Sequence, residues 1–258
     1  MSDIEESAKA VQEVAKTTNN AIDKTAELSR FLGRILGPAF DDMGGILKQY
    51  TEYWKQKNAL RLRDKLEKIL SQRGDPPLSP LAFRTGLPLL DAAVMEDEEG
   101  LQNMWANLLA SAMTEEEYSL VTKSYVEVLK QIDVLDAELI DVIYKIYLNV
   151  LMDGGKTNYI KKDNSTDVVQ LSLATNNLER LGLVKLHKDS AVEEYEPIIR
   201  IYFCDKTGEQ EKSFAVNVSL TLFGSYFMRA CTDHKVQAKN GHEFVLIESR
   251  FDYLSSGT

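Results

Sequence analysis

DAAVMEDEEGLQNMWANLLASAM, residues 91–113, is the stretch on which the fold of this chain turns. From Leu101 onward its apolar residues fall at helical spacing: Leu101, Met104, Trp105, Leu108, Leu109, Ala112 and Met113. That spacing places all seven on one stripe of an α-helix. Asp97, Glu98 and Glu99 precede it, where the positive end of a helix dipole favours acid. Between Asp91 and Glu117 there are eight carboxylates and no Lys or Arg. The stretch predicts a helix with a buried face, Trp105 in the core, and an acidic belt.

Toward the N-terminus, residues 52–70 predict a second helix with Trp54, Leu62, Leu66, Ile69 and Leu70 on or near one face. Its other face is basic. Over residues 55–73, Lys55, Lys57, Arg61, Arg63, Lys65, Lys68 and Arg73 oppose only Asp64 and Glu67. Three partners suit such a face: the acidic 91–117 region of the same chain, an anionic membrane surface, or nucleic acid. The segment before it, FLGRILGPAFDDMGGILKQY (31–50), is apolar but interrupted by Pro38 and the Gly44-Gly45 pair, which predicts two short helices with a break. Aromatic residues beside cations suit a headgroup layer. The membrane-facing candidates are therefore Phe31, Leu32, Ile35, Leu36, Trp54, Lys55, Lys57, Arg61 and Arg63. RGDPPLSP (73–80) stops the helix in a rigid turn. Residues 1–30 read as a marginal helical arm, too polar to offset its own ordering entropy.

Toward the C-terminus, a short helix near 86–95 accommodates Pro88 in its first turn. Ser124 and Glu127 have capping-box spacing and open the next helix. Asp136 caps another, in which Leu139, Ile140, Ile143, Ile146, Tyr147 and Val150 form the buried stripe, with Gly154-Gly155 ending it. SLATNNLERL (172–181) is a short helix stopped by Gly182. Extended runs at 183–186, 197–204 and 213–220 follow, the last two joined by a wing-like turn at 205–212, and 220–231 returns to helix. The final stretch, 241–254, fits a strand or a short helix. The expected fold class is mainly α: an N-terminal multi-helix domain over 31–132 and a C-terminal winged-helix-like α+β domain over 133–258.

Composition narrows the chemistry. A net charge of −10 over 258 residues disfavours broad attraction to phosphate. Two cysteines, Cys204 and Cys231, make no disulfide framework and fit a reducing, cytoplasmic setting. The N-terminus lacks the apolar core of a secretory signal, and no apolar run reaches the about 18 residues a spanning helix needs. His187, His234 and His242 have no metal-ligand spacing, so neither a metal nor a cofactor is expected. Gly154-Gly155-Lys156-Thr157 resembles the end of a phosphate-binding loop, but the glycine that loop requires is replaced by Val150. Runs of acid at 96–99 and 115–117 scatter around a helix axis instead of converging as a catalytic cluster does. No catalytic constellation emerges, and the chain is expected not to be an enzyme.

A winged helix raises DNA binding, with Asn176, Asn177 and Arg180 as the side chains able to reach base edges. Yet residues 160–218 carry eight Lys or Arg against ten Asp or Glu, so readout would lack its electrostatic base. FLGRILGPAFDDMGGIL, YWKQKNALRLRDKLEKIL, EDEEGLQNMWANLLASAM, SYVEVLKQID, LERLGLV and LTLFGSYFMRAC together resemble the Abi-alpha (abortive infection alpha) family of bacterial proteins over roughly residues 30–232. The resemblance implies antiviral defence in which phage-infected cells stop growing or die, and it carries over no catalytic residue. The expected function is thus a non-enzymatic abortive-infection protein. Its expected partners are a phage or host component or a neighbouring defence protein, with the inner membrane face as a further contact. A winged-helix DNA-binding regulator is the alternative.

Overall fold

The computed structural model describes residues 27, 30–37, 56–114, 123–153, 158–161, 168–187, 199–205, 212–233 and 253–254. Residues 30–36 are helical. They are followed by α1 (Gln56–Gln72), α2 (Phe83–Met95), α3 (Glu99–Met113), α4 (Lys123–Leu129) and α5 (Val134–Asp153). Then come β1 (Asn158–Lys161), α6 (Val168–Arg180), β2 (Val184–His187), β3 (Ile199–Asp205), β4 (Lys212–Leu220), α7 (Leu222–Cys231) and β5 (Tyr253–Leu254). The protein is mainly helical.

α3 is the hub. Every residue of the predicted stripe is buried, but so are Ala106 and Ala110 on other faces, and twelve of the fifteen residues are buried in all. A helix buried nearly all round needs neighbours on several sides. α3 has them: α1, α2, α5 and α7 all pack against it. The alanines let those neighbours approach closely, while Trp105, at 2% exposure, fills the wide gap. Leu62, Leu66, Ile69 and Leu70 form the buried face of α1, as its periodicity predicts.

Element ends differ from expectation in instructive ways. α2 begins at Phe83, so Pro88 lies inside the helix instead of in its first turn. Ser124 lies within α4, and the Glu127 carboxylate accepts from Lys130 Nζ, so these two residues form no capping box. The box sits one element later. Asp133 Oδ1 accepts from the Asp136 N–H at 3.0 Å, and Asp136 Oδ2 accepts from the Asp133 N–H at 3.2 Å. Asp133 is the cap of α5 and Asp136 its reciprocal partner in the first turn. α6 closes as expected: Gly182, at φ +73°, donates to the Glu179 carbonyl and Leu183 donates to that of Leu178.

The strands form one sheet in the order β2-β4-β3-β1-β5. β3 and β4 are an antiparallel hairpin, with Asp205 opposite Lys212 as the last rung. β4 also pairs antiparallel with β2, and β1 runs parallel to β3. β1, four residues from Asn158 to Lys161, was not foreseen in the sequence. The undecided C-terminal stretch contributes β5, paired with β1. α5 and α6 pack against this sheet.

One hydrophobic cluster runs from Phe31 to Cys231 and crosses residue 132 without interruption. It extends from the helical segment 30–36 through α3 to Phe227 and Met228 of α7.

Candidate functional site

The strongest polar convergence lies where the basic side of α1 meets the acidic start of α3. Lys65 Nζ donates to Asn103 Oδ1 and lies 3.5 Å from Glu99. Burial lowers the Lys65 pKa, and Glu99 partly opposes that shift. Asn58 donates to Asp97 Oδ1 at 2.6 Å. Arg63 pairs with Glu27 at 2.7 Å and with Asp64 at 2.8 Å, and bonding to Glu27 above all raises its pKa. Arg61, Lys65 and Lys68 line an open cleft of about 560 Å³, but Asp64, Glu99 and Asp233 line it too. A mixed-charge lining of that kind makes no anion pocket.

Arg73 holds the far end of this junction. Its guanidinium donates to Ser111 Oγ at 3.2 Å and Asn107 Oδ1 at 3.0 Å, and it approaches Asp233 at 3.6 Å. Ser111 Oγ in turn donates to the Ala230 carbonyl of α7. A buried polar chain thus joins α1, α3 and α7. Asn107 and Ser111, one helical turn apart along the edge of the apolar stripe, were its signal in the sequence, and the stripe reading passed over them.

The other candidates scatter. Phe31, Leu32, Ile35 and Leu36 are at most 3% exposed and belong to the core. They face protein, and a bilayer could reach them only if the helical segment left the core. Arg61 and Arg63 lie on the outer side of α1. Trp54 and Lys55 lie outside the described residues, as does the side chain of Lys57. Of the three base-contacting candidates, Asn176 is exposed. Asn177 donates to Asp136 Oδ2 at 2.6 Å and to the Gln131 carbonyl, while its own oxygen accepts from Arg180. Arg180 also donates to Gln131 Oε1. Two of the three are therefore occupied in tying α6 to the start of α5.

Asp136 is buried among these contacts. Burial raises its pKa above the ordinary carboxyl range, with Asn177 pulling the other way. Cys231 is free and buried, and burial pushes its thiol well up, which makes it a poor nucleophile. His187 bonds Ser219 Oγ at 2.8 Å, while His234 and His242 lie outside the described residues. Among the described residues, no group of three His, Cys, Asp or Glu could hold a metal ion, and no helix is long and apolar enough to cross a membrane.

The family model described as abortive infection alpha matches residues 55–231, well over half of the chain. The chain belongs to the abortive infection alpha family. No curated protein and no solved structure matches it significantly. In abortive infection alpha terms, the matched span begins at α1 and ends with α7, the two helices that the Arg73 chain ties to α3.

Proposed function

We propose that this member of the family is a non-enzymatic antiphage protein of the abortive-infection type, acting through protein contacts. The observation that carries the reading is the family match across residues 55–231. The cations on and just after α1 support it: Lys65 reaches Glu99 and Asn103 and Arg73 reaches Asn107, which makes a scaffold of the basic helix. Within this reading, residues 31–132 form a helical domain and 133–258 a winged-helix-like one, with the β3–β4 hairpin as wing and α6 as the helix before it. Membrane association rests on the outer cations of α1 alone, and flotation with anionic vesicles at low and high salt tests it. Absence of flotation at low salt removes it.

The defence reading is tested in bacteria expressing the chain under phage challenge. At high phage dose, infected cultures should stop growing. At low dose, plaque counts should fall and the uninfected cells survive. Unchanged plaquing across a broad phage panel would overturn it.

A further inference from the structure

Val134, at the start of α5, is 43% exposed, and on α6 Val169 and Leu173 are 61% and 63% exposed. Val169 and Leu173 are one helical turn apart and so stand on the same side of α6. Val134 and Leu173 line an open cleft of about 640 Å³ between the two helices. Val134 also lines a second cleft, of about 590 Å³, whose floor is Leu101, Met104 and Met228. Val134 is common to both linings, so the clefts adjoin at this exposed side chain and form a strip whose accessible apolar residues are Val134 and Leu173. Their linings together hold seven carboxylates and no Lys or Arg. Of these, Asp136 is buried against Asn177, while Lys145, Lys65 and Arg73 reach Asp141, Glu99 and Asp233 from outside, and the balance of the linings stays negative.

We propose that this strip is the docking surface for a basic amphipathic helix of a protein partner, which deepens the reading of the chain as a contact-making defence protein and rests on it. An apolar strip with a charged rim is matched by a helix that carries apolar residues on one side and Lys or Arg beside them. The rim argues against the other occupants. DNA and anionic lipid would bring phosphate to carboxylate. A second copy across a two-fold axis would set this acidic surface against itself.

The test uses the full chain and a fluorescein-labelled leucine–lysine peptide of about 18 residues, long enough to hold a helix. Its controls are the same composition in scrambled order, a leucine–glutamate counterpart and a DNA duplex. Fluorescence anisotropy should show binding of the ordered basic peptide only, weakening at high salt. Leu173→Gln and Val134→Gln should each weaken it about tenfold, as loss of a central apolar anchor does. Both side chains are exposed, so the variants should melt as the parent does. No binding of the basic peptide, equal binding of a control, or parental affinity in both variants overturns the inference. Growth arrest under phage challenge is scored separately. Its persistence without peptide binding removes the docking strip and leaves the defence reading intact, whereas unchanged plaquing with peptide binding does the reverse.

Discussion

A methyl group at residue 224 would have nowhere to go. A Cβ built on Gly224 would lie 2.0 Å from the carbonyl oxygen of Leu183, which already accepts the Thr221 N–H at 3.0 Å. The first turn of α7 is pressed against the backbone leading into β2, and only glycine permits the approach. Gly224→Ala should therefore cost about 3 kcal/mol, the upper end of ordinary overpacking, read as a shift in the denaturation midpoint. A sequence shows a glycine in a helical pattern, and which backbone it must admit becomes visible only in three dimensions. Asp136 has a second consequence. Its folded-state pKa is raised, so ionising it costs native stability, and the penalty grows as pH rises from the ordinary carboxyl range through the raised value. Relative to Asp136→Asn, the parent should be more stable in acid and lose that advantage toward neutrality, as denaturant titrations at several pH values would show. A flat difference would contradict the burial argument.

At the scale of elements, the sequence is most transparent where one residue pattern admits one environment. α3 is such a case, because seven apolar residues at helical spacing leave no alternative to burial. The basic side of α1 is less decided, since three partners suit it and only the fold shows Lys65 reaching Glu99 and Asn103. Caps are less legible. Ser-x-x-Glu spacing occurs inside helices as readily as at their starts, so Ser124 imitated a cap of α4, and at α5 the cap is Asp133 instead of the expected Asp136. Asp133→Ala should cost about 1 kcal/mol in a chemical melt, and Ser124→Ala almost nothing. A four-residue strand such as β1 has too few residues to show an alternating pattern. The helical segment 30–36 misled for another reason: an apolar run has the same composition whether it faces lipid or protein. Its burial against the rest of the chain depends on partners that lie far away in sequence.

At the scale of the whole molecule, the described core is one packed cluster shared by both of the proposed domains. Phe227 and Met228 of α7 are fully buried and belong to the same cluster as Leu62 and Trp105. Ser111 and Ala230, 119 residues apart, share a buried hydrogen bond. Separate domains would unfold separately, but a shared core couples them. In a Trp54→Phe variant, the fluorescence of Trp105 should report the same transition midpoint as far-ultraviolet ellipticity. Two resolved transitions would contradict the coupling through that core. This long-range closure is what no local window of sequence contains, and it is why the candidate contact surface at Val134 and Leu173 emerged only with the fold.

The late position of α7 sets a clock on the ribosome. Translation at about 5–20 residues per second takes on the order of ten seconds to pass from Met113 to Cys231. During that time the central helix has been made but lacks the wall that α7 supplies, and its apolar residues stand open to chaperones and proteases. A message cut before Leu222 would release chains that never seal. Only a copy translated through Cys231 has the wall that closes the central helix on the side of α7.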